Sequence, residues 1–188
     1  AYSSEVDYIM LSEEEGTTAT YRSVVEAADS SSAEQLTPKA GETYTLGDAT
    51  WQILSCDTDM PDLNESSIVI KLTYGNTSFL FTGDATMNTE QGLEMSGYDL
   101  KSDVLKVGHH GSAGSTADSF LDAVAPEIAV ISVDSESDMG EMYHHPATST
   151  LQRLSQHGIK VYRTDELGTI RITSDGEKLA VSAFATST

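Results

Sequence analysis

The densest run of β-branched and aromatic positions lies between residues 67 and 81, where Ser67-Ile68-Val69-Ile70-Lys71-Leu72-Thr73-Tyr74 and Thr77-Ser78-Phe79-Leu80-Phe81 flank Gly75-Asn76. A two-residue turn that tolerates positive φ between two such runs predicts a β-hairpin. The turn also fixes the register, because a slip of one residue would point the apolar set outward and carry Asp84 away with it. A second hairpin is predicted over residues 41–54, turning at Gly47-Asp48, and a third turns at Asp175-Gly176 between strands at 169–173 and 179–184. Further strands are expected over 6–11, 103–107, 127–133 and 159–164, with Glu13-Glu14-Glu15-Gly16 as a turn after the first. Tyr21, Val24, Val25 and Ala28 recur at i, i+3, i+4 and i+7, which predicts a helix over 18–29 closed by Ser30-Ser31-Ser32. Helices are also predicted over 87–96, with Leu93 and Met95 inward and Gly97 as the stop, over 117–124, and over 148–156. With no internal repeat and no linker, residues 1–188 read as a single domain.

Hydrophobic content of 38% with 21% charged residues is that of an ordinary soluble globular chain, and no apolar run approaches the ~20 residues of a membrane helix. Charge narrows the reading further: 10 Lys and Arg stand against 30 Asp and Glu, a net charge of -20. Residues 1–65 alone hold 14 carboxylates against Arg22 and Lys39, a surface that repels phosphate backbones and argues against broad nucleic-acid binding. The single cysteine, Cys56, follows an apolar run and reads as a buried structural thiol, which excludes an internal disulfide framework. Abundant Ser and Thr with few Lys suit an exported domain, extracellular or in the cell envelope of a bacterium.

Chemistry concentrates where two short apolar runs end in Gly-flanked polar clusters, Phe79-Leu80-Phe81-Thr82-Gly83-Asp84 and Asp103-Val104-Leu105-Lys106-Val107-Gly108-His109-His110-Gly111-Ser112. A carboxylate and two imidazoles are a donor set for zinc, manganese or iron. Two readings of Asp84 are open: a metal ligand, or a cap for the helix starting near Thr86. The Ser- and Gly-rich turn 112–116 could receive a phosphate oxygen, or could cap the helix that follows. Lys106, inside a buried strand, reads as an amphipathic stem reaching solvent at the rim. Four of the five histidines fall in two pairs, His109-His110 and His144-His145, which suggests one shared pocket; His157 stands at a helix C-terminus and reads as structural.

Thr82-Gly83-Asp84, Leu105-Lys106-Val107-Gly108-His109-His110-Gly111-Ser112, Ala129-Val130-Ile131-Ser132-Val133, His145-Pro146 and Val161-Tyr162-Arg163-Thr164-Asp165 with Gly168 resemble, in order, the latter half of the metallo-β-lactamase-like domain of the ComEC family of DNA-uptake competence proteins. The resemblance implies an α/β fold, an αββα sandwich, and a dinuclear metal hydrolase of phosphodiester or related bonds. In that picture Asp84 bridges two metals, zinc or manganese, and one of the histidine pair is a terminal ligand. His110 is taken as the ligand and His109 as the group facing the substrate phosphate, although the reverse order is also open. His145 matches the family's Gly-His-Pro, with His144 in place of its glycine, and would steady developing charge together with His109. Asn64 would sit beside the site, and Asn64, Ser112 and His144 would contact substrate, whether a small phosphodiester or a nucleic acid.

One departure matters as much as the match. The superfamily's first metal motif, a His-x-(His/Asp)-x-Asp-His cluster, is absent, and no histidine precedes His109. The chain therefore reads as a domain truncated at its N-terminus, with metal binding weak or absent. The alternative is a non-catalytic fold remnant or interaction module. If strands are missing, the exposed sheet edge would invite a homodimer.

Overall fold

The computed structural model describes residues 6–12, 16–58, 60, 62–134 and 143–184. Near the N-terminus, strands β1 (Tyr8–Met10) and β2 (Glu34–Leu36) pair in parallel across helix α1 (Ala19–Asp29), which Thr18 caps by accepting the Tyr21 N–H at 3.1 Å. Seven strands then form the central sheet in chain order: β3 (Thr43–Leu46), β4 (Ala49–Ser55), β5 (Val69–Tyr74), β6 (Thr77–Phe81), β7 (Val104–Lys106), β8 (Ile128–Ile131) and β9 (Lys160–Arg163).

The sheet changes character at β6. From β3 to β6 neighbours run antiparallel, with two-residue turns closing β3–β4 and β5–β6 as the sequence predicts. From β6 to β9 they run parallel, because helices α2 (Met87–Met95), α3 (Asp118–Val124) and α4 (Thr148–Gln156) carry the chain back between strands. In register, Leu80, Leu105, Ala129 and Val161 form one row across the parallel half. This row packs against Leu93 of α2, Phe120, Leu121 and Val124 of α3 and Leu154 of α4, which places all three helices on one face. Each fully buried Leu, Phe or Val among them contributes about 1.5–3 kcal/mol by leaving water.

The other face carries the alternate row of Phe81, Lys106, Val130 and Tyr162. A hairpin of β10 (Thr169–Ser174) and β11 (Leu179–Phe184) lies over part of it, leaving an apolar cavity of about 230 Å³ lined by Phe79, Phe81, Val104, Val130, Ile170 and Ile172. A mixed central sheet with helices on one side and strands on the other is the layered α/β arrangement expected. Among the described residues no helix is long and apolar enough to cross a membrane.

Several expectations are corrected. Met95 does not face inward; it is 80% exposed, since three of the nine positions of α2 suffice to seat it. β2 was not expected, because Glu34-Gln35-Leu36 has no strand signal of its own and pairs only over three residues with β1. The expected loop 57–65 contains a 3-10 turn at Leu63–Ser66, and a one-turn helix α5 (Thr164–Leu167) follows β9. No Ser or Thr hydroxyl caps α3; instead Glu90, from α2, accepts the Thr116 and Ala117 N–H groups at 2.5 and 2.9 Å. The turn expected at residues 13–15, Asp59, and the acidic stretch 135–142 lie outside the described residues.

Candidate metal centre

The parallel half of the sheet brings the C-terminal ends of β6, β7 and β8 side by side, the usual place for a ligand site in such a sheet. β6 leads into Thr82-Gly83-Asp84. Gly83 takes a left-handed φ of 56°, and a Cβ there would come within 3.0 Å of Cβ and Oγ of Ser67, so only glycine fits. The Asp84 N–H donates to Ser67 Oγ at 3.0 Å, and Thr82 Oγ1 donates to the Lys106 carbonyl at 2.8 Å. α2 is capped by Thr86, whose Oγ1 accepts the Asn88 N–H at 3.3 Å, so the Asp84 carboxylate is not consumed as its cap.

β7 leads into a turn, Gly108–Gly111, whose two histidines are both left-handed: φ is 46° at His109 and 54° at His110. Each such residue costs about 1–3 kcal/mol and persists only where its surroundings impose it. Here the His109 N–H donates to the Gly83 carbonyl at 3.2 Å, the Ser112 N–H to the His109 carbonyl at 2.9 Å, and Ser115 Oγ to the Gly108 carbonyl at 2.9 Å.

The strained turn aims the His110 ring. Its Nδ1 lies 2.6 Å from the carbonyl oxygen of Ser132, just past β8, and its Nε2 lies 3.4 Å from Oδ1 of Asp84. A carbonyl can only accept, so Nδ1 must carry a proton. Nε2 is then the ring nitrogen that faces the carboxylate, and a cation, whether a proton or a metal ion, fits between them. An imidazole tied through one nitrogen to a backbone carbonyl is how metal-ligating histidines are commonly held.

A second imidazole group stands beside this pair. The rings of His109 and His145 meet edge to face at 5.6 Å, and Tyr143 stacks on His145 at 5.8 Å. His145 Nδ1 is buried and has no hydrogen-bond partner among the described residues. Burial, reinforced by His109 and His110 and opposed by Asp84, holds the His145 pKa below the usual imidazole value. The two histidine pairs thus meet through His109 and His145. Exposed His144 has left-handed backbone (φ 53°), and no contact joins it to Asp84 or His110 among the described residues. Ser112 Oγ accepts the Gly114 N–H at 3.2 Å and keeps its own proton to donate. Asn64 is linked to the centre through its carbonyl, which accepts the Ser67 N–H at 3.2 Å. Cys56 is half-buried just after β4. His157 is structural, with Nε2 3.1 Å from Asp118 and Nδ1 3.5 Å from Asp122.

Sequence reading missed Ser67, the Ser132 carbonyl and the true position of Lys106. The Lys106 Nζ does not simply reach solvent: it donates to the Gly83 and Val107 carbonyls at 3.1 and 2.9 Å. Burial lowers its pKa, and nearby Asp84 opposes that shift. Asp84 and His110 fit a metal as two of its donors. They do not make a whole site, since no group of three or more His, Cys, Asp or Glu able to hold a metal occurs among the described residues.

A family model described as the metallo-beta-lactamase superfamily matches residues 4–135, a span holding Asp84, His109, His110 and Ser132. The chain is 39% identical over 134 residues to ComE operon protein 3 of Bacillus subtilis, a match covering 71% of this chain. It is 40% identical over 111 residues to competence protein ComA of Neisseria gonorrhoeae, covering 58% of this chain. The matches take in 17% and 16% of those two relatives. Among solved structures, a mutant of the CmlA beta-hydroxylase superposes with a TM-score of 0.50 at 16% identity, over 80% of this chain and 35% of that one, a likeness of fold alone.

Proposed function

Because the chain belongs to the metallo-beta-lactamase superfamily, whose members are generally metal-dependent hydrolases, we propose that Asp84 and His110 are part of a hydrolytic metal centre for phosphodiester or related bonds. The observation that carries this reading is the facing of His110 Nε2 and the Asp84 carboxylate at 3.4 Å, with Nδ1 already engaged. When bound, a zinc or manganese ion at such a corner lowers the pKa of water towards neutrality and polarises a phosphoryl oxygen. Asp84 and His110 hold it. His109 and His145 line the approach and stabilise charge developing on the phosphoryl oxygens. The Ser112 hydroxyl, whose oxygen accepts the Gly114 N–H, donates its proton to a substrate oxygen.

The likeness to competence proteins supports a role at a bacterial cell envelope, with a DNA or smaller phosphodiester substrate. A second reading, a scaffold without metal chemistry, is favoured by the lack of a third ligand among the described residues. One experiment separates the two. The chain is dialysed against Mn²⁺ or Zn²⁺, and both bound metal and hydrolysis of bis(p-nitrophenyl) phosphate are measured for wild type and D84N. Uptake and turnover that both collapse in D84N support the metal centre. No uptake by wild type supports the scaffold.

A further inference from the structure

Lys106 ends β7 on the sheet face away from the helices, between Phe81 and Val130 of the neighbouring strands. Its stem lines the same apolar cavity as Phe79, Phe81, Val104, Ile170 and Ile172. An ammonium drawn into such surroundings needs acceptors. It has two: the carbonyl of Gly83, the residue before Asp84, at 3.1 Å, and the carbonyl of Val107, which opens the histidine turn, at 2.9 Å. The Gly83 carbonyl is shared, since it also receives the His109 N–H at 3.2 Å. One cation therefore ties together the loops leaving β6 and β7. A lysine stem that merely covered apolar surface would carry its charge away into water; here the charge joins two carbonyls that belong to different loops.

We propose that Lys106 is a positioning residue: its ammonium cross-links the Gly83 and Val107 carbonyls and sets the separation at which Asp84 and His110 can share a cation. The purpose of this cross-link rests on the metal-centre reading above, whereas the cross-link itself does not. Methionine can fill the cavity but offers no donor, so K106M removes the tie while leaving an apolar side chain of similar length.

The test compares wild type, K106M and K106R by amide hydrogen exchange and by equilibrium dialysis with Mn²⁺. In K106M the His109 amide, which reports on the Gly83 carbonyl, should exchange about tenfold faster, while the Leu105 amide within the sheet stays protected. Mn²⁺ affinity should weaken by about 10–100-fold, the usual effect of removing a supporting group. K106R keeps the charge and supplies donors, so its His109 exchange should lie closer to wild type than that of K106M. A K106M protein with wild-type His109 exchange overturns the proposal, and so does loss of protection spread evenly over Leu105 and His109. Should K106M fail to fold, K106R decides alone: His109 exchange as fast as in a urea-loosened chain refutes the tie. If wild type takes up no Mn²⁺, the metal-centre reading fails while the exchange arm still judges Lys106.

Discussion

Nε2 of His110 and Oδ1 of Asp84 stand 3.4 Å apart because the other ring nitrogen is committed to the Ser132 carbonyl at 2.6 Å. The gap holds one cation between ring and carboxylate, either a proton on Nε2 or a metal ion.

The D84N substitution tests which cation that pair serves. The new amide can donate to Nε2 in place of the carboxylate contact, and the backbone N–H bond to Ser67 Oγ is retained. Metal-free stability should change by no more than about 0.5 kcal/mol in urea denaturation, as for an ordinary partly exposed site. Metal uptake should meanwhile be lost. A large drop in stability with metal uptake intact would show Asp84 to be structural.

Gly111 closes the histidine turn with φ at 81°, and a Cβ there would lie 2.7 Å from Cβ of Pro146. Its carbonyl also receives the Ala147 N–H at 2.8 Å, so this residue fixes where His145 meets His109. G111A combines left-handed strain with a backbone-borne clash and should cost about 1–3 kcal/mol, read as a lower urea midpoint. An unchanged midpoint would mean that the 143–147 segment gives way freely.

How much of this was legible beforehand follows from the range of each interaction. The hairpins and the meeting of Asp84 with His110 were readable because turn glycines and period-two runs act locally, and strand ends then fall together once the order is known. The Asp84 cap reading fell because Thr86, two residues on, takes that role. Lys106 joins a carbonyl 23 residues away, and Glu90 caps a helix 26 and 27 residues away. No local pattern encodes such partners. Met95 was misplaced for a related reason: in a short helix, which apolar side chain turns inward depends on the packing partner.

Glu90 gives a pH-dependent test. Its side chain is 1% exposed and accepts two N–H groups at the start of α3, one on each oxygen. Burial raises its pKa above the usual carboxylate value, and the two amide bonds offset this only in part. For a raised pKa, the stabilising contribution is complete below the unfolded value and is lost as pH rises through the folded one. E90Q titrates nowhere, and it puts an NH2 donor in place of one of the two accepting oxygens, so that one N–H loses its partner and the change should cost about 1–3 kcal/mol. The cost should be larger at pH 5 than at pH 8 in urea denaturation. A cost that grows with pH would contradict the assignment.

The acidic surface makes a prediction about substrate. With a net charge of -20, and 14 carboxylates against two basic residues in positions 1–65, the chain presents a negative field to any polyanion. A protein that collects phosphates on basic side chains loses DNA affinity as salt rises, through counterion release. Here repulsion prevails instead, reaching about 30 Å at 0.01 M salt and about 10 Å at 0.1 M. Anisotropy of a fluorescent DNA duplex should therefore show association that is weak at low salt and unchanged or stronger as salt is raised. Hydrolysis or binding of a single small phosphodiester should respond far less, because it carries one charge rather than many. A steep fall in duplex binding with salt would place an unforeseen basic face on this protein and remove the charge argument against nucleic acid.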